Sequence, residues 1–176
     1  QKFLDIACRS AGIWPRVVVL VVTLKALRLH GGAPLADAST GDPAALTAGL
    51  PQLEHHLFSV GAYGIPPVVA LNRFPDDTDA EVELLAEWCA GRGVPMAACT
   101  GFTEGAPGSV ALADEVARVV DATDAAPAQP WHPYAADAPY LEKIAAVATH
   151  VYGADGIEVA PAAARDLARI TAAVGT

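Results

Sequence analysis

Three short apolar runs constrain the fold of this chain more than any other feature. They lie at Val17–Thr23, Pro67–Leu71 and Val94–Cys99, and the first two are rich in valine. In those two runs the apolar residues are continuous, which is typical of strands covered on both faces. Segments with a helical pattern lie between and after the runs, at Leu24–Leu29, Pro43–Val60, Asp79–Ala90, Ser109–Ala122, Tyr140–Tyr152 and Pro161–Val174. This alternation predicts an α/β fold with a doubly wound, mostly parallel sheet flanked by helices.

Two of the predicted helices carry further local signals. In Pro43–Val60 leucines recur at helical spacing, and Pro51 predicts a division or a kink of the helix. Before Asp79–Ala90, Thr78 begins a pattern in which Glu81 has the spacing of a capping box. The helix predicted at Asp79–Ala90 is therefore expected to begin directly after Thr78.

Length and composition predict one main domain followed by a helical extension. The chain has 176 residues, of which 53% are apolar, and this is enough for a sizeable core. We expect residues 1–125 to form the α/β domain, residues 126–139 a Pro- and Ala-rich connector, and residues 140–176 a C-terminal helical segment. Because the chain opens at Gln1 and its only methionine is Met96, we interpret it as an internal fragment of a longer polypeptide.

Charge and cysteine content argue against several classes of partner. The net charge is −9 and the isoelectric point is about 4.8, which disfavours a surface for nucleic acid or for anionic membranes. The longest apolar run, Val17–Leu24, is much shorter than the roughly 20 residues that span a bilayer. Cys8, Cys89 and Cys99 form no CxxC pair, which indicates reduced thiols in a cytoplasmic protein. We expect small-molecule substrates, with neither nucleic acid nor membrane as a partner.

Three loops follow the predicted strands and are the expected location of any site. They read LKALRLHGG, NRFPDDTD and TGFTEGAPGS. In open parallel sheets ligands bind at the carboxyl ends of the strands, where such loops meet.

The loop after the second strand presents an aromatic residue, Phe74, where the chain is expected to reach solvent. The ring could pack in the core or loop, or it could serve as a platform for a flat ligand, and both interpretations stay open. A guanine-reading loop would need an acid three residues after Asn72, but Pro75 stands there. Asp76 and Asp77 are expected instead to favour the start of the next helix by opposing its dipole.

The loop after the third strand is rich in glycine. Gly101, Gly105 and Gly108 would permit close backbone approach or a positive φ. Phe102 places a second aromatic ring at a strand end, and together with Phe74 it could clamp a planar heterocycle by stacking. The spacing is not that of a phosphate-binding P-loop.

The loop after the first strand combines basic residues with glycines. His30, Gly31 and Gly32 are typical of a helix end, where glycine suits the left-handed conformation and histidine faces the negative end of the dipole. Lys25 follows a buried strand directly. Its spacing fits an anion-binding role and a solvated lysine equally well.

No metal site or catalytic nucleophile is predicted in this chain. His55 and His56 are adjacent in a helical segment, so they point to different faces and cannot form a metal-binding pair one turn apart. His132 and His150 are isolated, and no serine has the context of a nucleophile elbow.

Five stretches, in order along the chain, resemble formate–tetrahydrofolate ligase. VVTLKALRLHGG resembles the family signature Val-Ala-Thr-Ile-Arg-Ala-Leu-Lys-x-His-Gly-Gly, which places Thr23, Lys25, His30, Gly31 and Gly32 on signature positions. The other four are KFLDIACR, similar to KFFDIKCR; GLPQLEHHL, similar to GLPNLEKHI; ALNRFPDDTDAE, similar to AINRFPTDTEAE; and LEKIAAVATHVYGADGIEVAP, similar to the segment with IYGADGVEYSP. The resemblance covers essentially the whole chain, although the chain covers only part of a family member.

The resemblance implies an ATP-dependent enzyme that makes 10-formyltetrahydrofolate from formate and tetrahydrofolate through formyl phosphate. It implies that Mg²⁺ accompanies the nucleotide, that a monovalent cation activates, and that the enzyme is a homotetramer. It also implies a P-loop-type ligase whose phosphate-binding loop lies upstream of this chain. We therefore expect no catalytic residue here and no activity from this fragment alone.

The resemblance also assigns substrate-binding residues. It implies that Phe74 stacks on the folate ring, and that Phe102 replaces the tryptophan that usually stacks on the other side. Asn72 and Arg73 are further candidates for contacts with substrate. The chain departs from the family pattern at Ala7, Glu104, Ala106 and Pro107.

Two other functions stay open at this point. One is a P-loop nucleotide hydrolase of another family, with Asn72 reading a base. The other is a degenerate, non-catalytic homologue retained for assembly or for folate binding.

Overall fold

The computed structural model describes residues 1–124 and 130–175, which form two compact units. The sheet unit contains residues 15–61 and 65–124, and the helical unit contains residues 1–14, 62–64 and 130–175. Residues 126–129 of the expected connector lie outside the described residues, so the predicted domain boundaries stay predictions. Helical elements are α1 (Arg9–Ala11), α2 (Leu24–His30), α3 (Pro43–Gly61), α4 (Asp79–Ala90), α5 (Gly101–Glu104), α6 (Val110–Asp124), α7 (Tyr140–Ala146) and α8 (Pro161–Val174), with π-helical segments Phe3–Cys8 and Val147–Val151 and a 3-10 turn Ala106–Ser109.

The sheet unit is built on a parallel sheet, as the apolar runs predict. Its strands are β1 (Val18–Val22), β2 (Pro67–Asn72) and β3 (Met96–Cys99), hydrogen-bonded in the order β1-β2-β3. All the strand pairs are parallel. The α/β prediction of a parallel sheet flanked by helices is confirmed. The predicted P-loop-type character stays a prediction.

The third strand begins at Met96, later than the predicted Val94. The N–H of Val94 donates to the carbonyl of Cys89 at 3.0 Å. Val94 therefore closes the end of α4 and does not join the sheet ladder. The carbonyl of Pro95 already accepts from Val69 N–H, at 2.8 Å, immediately before the strand.

Helix α3 continues through Pro51, so this proline does not divide the helix, and the alternative of a kink stays a prediction. Its apolar face carries the buried leucines Leu46, Leu50, Leu53 and Leu57. The packing of this face on both sides of the proline outweighs the local cost of the missing N–H.

Burial differs between the strands. The interior of β2 is buried at every residue, as predicted for a strand covered on both faces. The same prediction is wrong for β1, because Val19 is 39% exposed and Val21 is 66% exposed. Among the described strands β1 pairs only with β2, and its alternate side chains point to a face that remains open.

Helices α2 and α3 pack in backbone contact through two glycines. A Cβ added to Gly31 would lie 1.7 Å from the carbonyl oxygen of Ala45, and one added to Gly49 would lie 1.9 Å from that of Leu27. Only glycine allows this approach. The close packing fixes α2, which follows β1 directly, against the longest helix of the unit.

The helical unit is held by a buried carboxylate. The hydroxyl of Tyr63 donates to Asp5 Oδ2 at 2.7 Å, and His132 Nδ1 lies 3.2 Å from Asp5 Oδ1. Burial, followed by this hydrogen bond, raises the pKa of Tyr63. The predicted helix Tyr140–Tyr152 is α7 followed by the π-helical segment Val147–Val151. Across the described parts of the chain, no helix is long and apolar enough to cross a membrane.

Candidate functional site

The ends of the strands lie side by side at one edge of the sheet. Val22 pairs with Leu71, and Asn72 pairs with Cys99. The N–H of Arg73 also donates to the carbonyl of Cys99, at 3.0 Å. The loops that follow β2 and β3 therefore begin as neighbours, as expected for a site at the carboxyl edge.

Phe74 and Phe102 lie on these two neighbouring loops and expose their rings. Phe74 is 38% exposed and Phe102 is 87% exposed. Neither ring belongs to the buried core, so Phe74 is not a core residue, whereas packing within its own loop and a role as a platform for a ligand both stay predictions. Exposed aromatic faces on adjacent loops can take up a flat ligand by stacking.

The backbone at Phe74 is held by a short turn. Its N–H donates to Asp77 Oδ2 at 2.9 Å, and the N–H of Asp77 donates back to the carbonyl of Phe74 at 3.1 Å. Asp77 is buried and Asp76 is exposed. The expectation that Asp77 acts mainly on the helix dipole is corrected, because its carboxylate binds the Phe74 N–H and a buried arginine.

That arginine is Arg28, whose side chain is completely buried in the sheet unit. It makes a two-point pair with Glu81, with Nε 2.9 Å from Oε1 and Nη2 2.8 Å from Oε2. Nη2 also lies 3.3 Å from Asp77 Oδ1, and Nη1 donates to the carbonyl of Ala38 at 2.9 Å. We call Arg28, Asp77 and Glu81 the buried ion cluster.

Hydrogen bonds keep the buried ion cluster charged. Burial acts to raise the pKa of Glu81, but donation from Arg28, Thr78 and the N–H of Asp42 outweighs it and lowers that pKa to about 2. The hydrogen bond with Glu81 raises the pKa of Arg28. Both groups are therefore ionised at neutral pH.

The expected capping box is only partly formed. Thr78 is the residue before α4, and its Oγ1 accepts from the N–H of Glu81 at 3.4 Å. The same hydroxyl donates to Glu81 Oε2 at 2.7 Å. The Glu81 carboxylate is thus directed to Arg28 and the Thr78 side chain, because the buried arginine needs a counter-charge more than the helix needs a second cap.

The glycine-rich loop uses each predicted glycine for a definable reason. A Cβ on Gly101 would lie 2.4 Å from Ser109 Oγ, and one on Gly108 would lie 2.5 Å from Thr100 Oγ1. Gly105 has a φ of 65°. The loop closes on itself where Thr100 N–H donates to the carbonyl of Gly108 at 3.0 Å. The predicted roles of close approach and positive φ are confirmed.

Cys99 connects the end of β3 to the same loop. Its Sγ lies 3.5 Å from Ser109 Oγ. This hydrogen bond, and then one from the backbone of Gly101, lowers the pKa of the Cys99 thiol. All three cysteines are free thiols.

The signature residues divide between the two ends of α2. Thr23 precedes the helix and its Oγ1 accepts from the N–H of Ala26 at 3.1 Å, close to the sheet edge. Lys25 is exposed in the first turn. The helix ends at His30, and Gly32 has a φ of 96°, as the predicted helix end requires.

His30, Gly31 and Gly32 follow at the other end of α2, about 10 Å along its axis from Thr23, and His30 lines a cavity together with Val22 and Thr23. Gly31 serves the contact with α3. The structure brings together Thr23, Lys25, Asn72, Arg73, Phe74 and the glycine-rich loop at the carboxyl edge. Arg73 pairs there with the exposed Asp79.

The buried ion cluster was not predicted from the sequence, although one signal existed. Leu24, Leu27 and Arg28 occupy one face of α2, and all three are buried. A charged residue on an apolar helical face requires a buried partner. The partners themselves could not be identified, because they lie 49 and 53 residues further along the chain.

A family model described as formate–tetrahydrofolate ligase matches residues 1–175. The chain belongs to the formate–tetrahydrofolate ligase family. A formate–tetrahydrofolate ligase from Myxococcus xanthus (strain DK1622) is 50% identical over 167 residues, which is 95% of this chain and 30% of that relative. The resemblance seen in the sequence is confirmed, and this ligase-family chain spans about 30% of the length of the curated relative it matches.

Proposed function

We propose that this chain is the folate-orienting part of an enzyme that joins formate to tetrahydrofolate at the expense of ATP. Family membership supports the reaction class. The observation that carries the local role is Phe74, whose ring is exposed while its backbone N–H is held by a buried carboxylate. A ring presented by a rigid loop loses little conformational freedom when a flat ligand stacks on it.

In the proposed reaction, an oxygen of formate attacks the γ-phosphorus of ATP, forming formyl phosphate and releasing ADP. The N10 amine of tetrahydrofolate then attacks the formyl carbon, and phosphate leaves as the new carbon–nitrogen bond forms. The contribution of this chain is to hold the folate so that N10 faces the formyl group. Holding the reactants in place lowers the entropic part of the barrier.

Phe74 and Phe102 are proposed to contact opposite faces of the folate ring. Phe102 is the more exposed of the two and projects from the short helix α5. Asn72 ends β2 beside these loops and is proposed to hydrogen-bond the edge of the ring. Arg73, already paired with Asp79, and the exposed Lys25 are proposed to attract the negative charges of the substrates.

The nucleotide and the cations are proposed to bind outside this chain. This proposal is supported by the glycine-rich loop after β3, which lacks the spacing of a phosphate-binding P-loop. ATP, Mg²⁺ and the monovalent cation then depend on other residues of the full-length protein. The isolated chain should make no 10-formyltetrahydrofolate, and formate-dependent synthesis by residues 1–176 alone would contradict this.

The full-length protein is further proposed to be a cytoplasmic homo-oligomer, a homotetramer, that acts on small molecules. Free thiols at all three cysteines suit a reducing compartment. The net charge of −9 disfavours nucleic acid and anionic membranes as partners. Family membership favours this ligase over the alternative of a nucleotide hydrolase from another family.

The experiment that tests the proposal is Phe74→Ala in the full-length protein. We expect the Kd for tetrahydrofolate, measured by titration calorimetry, to rise about tenfold, because one stacking face is lost. The KM for ATP should stay unchanged. Phe58→Ala is the matched control, since Phe58 is an exposed phenylalanine on α3. An unchanged folate affinity in Phe74→Ala would refute the proposed role, and absence of ligase activity in the unmodified protein would favour the non-catalytic alternative.

A further inference from the structure

The buried ion cluster connects the helix after β1 to the loop after β2. Arg28 comes from α2, whereas Asp77 and Glu81 come from the turn before α4 and from its first turn. The cluster also reaches the intervening loop, through the carbonyl of Ala38 and the N–H of Asp42, which donates to Glu81 Oε1 at 2.9 Å. One guanidinium thus organises several segments near the candidate site.

The Asp77 carboxylate is held on both of its oxygens. Oδ1 lies 3.3 Å from Arg28 Nη2, and Oδ2 accepts from the N–H of Phe74 at 2.9 Å. The orientation of the carboxylate therefore depends on the arginine, and the position of the Phe74 backbone depends on the carboxylate. The exposed ring is joined to the buried charge through two hydrogen bonds in series.

Arg28 has little freedom to move within this arrangement. Its two-point contact with Glu81 fixes the plane of the guanidinium, and Ala38 binds the remaining terminal nitrogen. The side-chain exposures of Arg28 and Glu81 are 1% and 0%. A planar fork with several donors can satisfy these partners together.

We propose that Arg28 is a positioning residue for folate binding, which acts through Asp77 to set the orientation of the Phe74 loop. The inference rests on the proposed stacking role of Phe74. Arg28 itself is buried and touches no ligand. Its effect on the ligand is transmitted by the hydrogen bond from Phe74 to Asp77.

Two variants of the full-length protein test this role. Arg28→Gln removes the positive charge and the fork. Asp77→Asn removes one of the two negative charges in the buried ion cluster. Arg28 then remains paired with Glu81, so no charge is left buried without a partner. The amide oxygen of the new asparagine can accept a hydrogen bond from Phe74 or from Arg28. The amide nitrogen then faces the other donor and cannot accept from it. We expect each variant to raise the Kd for tetrahydrofolate about tenfold, with the KM for ATP unchanged.

Arg92→Gln provides the matched control. Arg92 lies in the same unit, pairs with Glu54 at 3.1 Å and stacks at 3.8 Å from the ring centre of Trp88, but it is exposed and belongs to neither loop. Its replacement should leave the Kd for tetrahydrofolate unchanged. Thermal unfolding of all variants identifies any that are not folded, and Asp77→Asn alone then decides the outcome if Arg28→Gln does not fold.

A double-mutant cycle with Phe74→Ala separates positioning from general stability. If Arg28 acts through Phe74, adding Arg28→Gln or Asp77→Asn to Phe74→Ala should weaken folate binding no further. Additive losses, or an unchanged Kd in Asp77→Asn, would overturn the inference. If only the inference about Arg28 is wrong, Phe74→Ala still weakens folate binding by itself. If the proposed stacking role of Phe74 is wrong, the Phe74→Ala variant binds folate with normal affinity.

Discussion

The guanidinium of Arg28 and the carboxylate of Glu81 face each other in a two-point ion pair with contacts of 2.9 and 2.8 Å, fully removed from solvent. The pair joins α2 to α4, and Asp77 extends it to the turn that carries Phe74. A buried charge without its partner is costly, so each member of the cluster constrains the others. The cluster therefore fixes the positions of α2, α4 and the Phe74 turn, and it makes the stability of this part of the sheet unit depend on pH.

Acid should weaken the sheet unit through Glu81. Its pKa in the folded protein is about 2, against an ordinary value of 4.5. Because the folded value is the lower one, the stabilisation is fully present above about pH 4.5 and is lost as the pH falls toward 2.

Glu81→Gln checks this pH dependence. Hydrogen exchange of amides in α2 and α4 gives the free energy of opening for the unmodified protein and for the variant at the same pH. The difference between the two free energies should be large at neutral pH and should shrink below pH 4.5. Glu83→Gln is the control, because Glu83 is an exposed residue on the same helix. A difference that stays constant from pH 6 to pH 3 would be incompatible with the depressed pKa.

Gly31→Ala should strongly destabilise the packing of α2 on α3. The added Cβ would overlap the carbonyl oxygen of Ala45, at a distance of 1.7 Å, and backbone cannot move aside as a flexible side chain can. We expect a loss of about 3 kcal/mol in the free energy of unfolding, measured by thermal denaturation.

Gly61→Ala serves as the comparison, because a Cβ on Gly61 meets nothing within 4 Å. This change at the end of α3 should be neutral or stabilise by less than about 1 kcal/mol. Equal melting temperatures for the two variants would show that the close approach of Gly31 to Ala45 does not contribute to stability.

Phe102→Trp should tighten folate binding. The larger ring offers more stacking surface, and Phe102 is 87% exposed, so the fold has room for it. We expect the Kd for tetrahydrofolate to fall about threefold, with a change in stability below about 0.5 kcal/mol. Phe58→Trp on α3 controls for the effect of an extra tryptophan on the protein. A Kd equal to that of the unmodified protein would mean that Phe102 does not stack on the folate.

Much of the architecture could be predicted because its causes are local. The valine-rich run at Pro67–Leu71 and the helix start at Thr78 depend on neighbours in the chain, and both are confirmed. Gly105 could be assigned a special conformation because a positive φ is a property of the residue itself. The candidate site was located by a rule about parallel strands, since their carboxyl ends must meet at one edge.

Other features depend on which segments meet in space. The exposure of Val21 on one face of β1 depends on which segments pack against that face, and the composition of the strand does not record this. Gly31 was predicted as part of a helix end, but its close contact with Ala45 exists only after α3 has packed against α2.

The sequence by itself determined the α/β class, the family and the aromatic residues at the strand ends, because each is encoded in periodicity, spacing or contiguous motif. Only the tertiary structure decided that Arg28 is buried, that Asp77 and Glu81 neutralise it, and that Phe74 is held through Asp77. The physical reason is that a buried charge takes its partners from any part of the chain that folding brings within hydrogen-bonding distance. Sequence spacing carries no record of that distance until the helices and strands have packed.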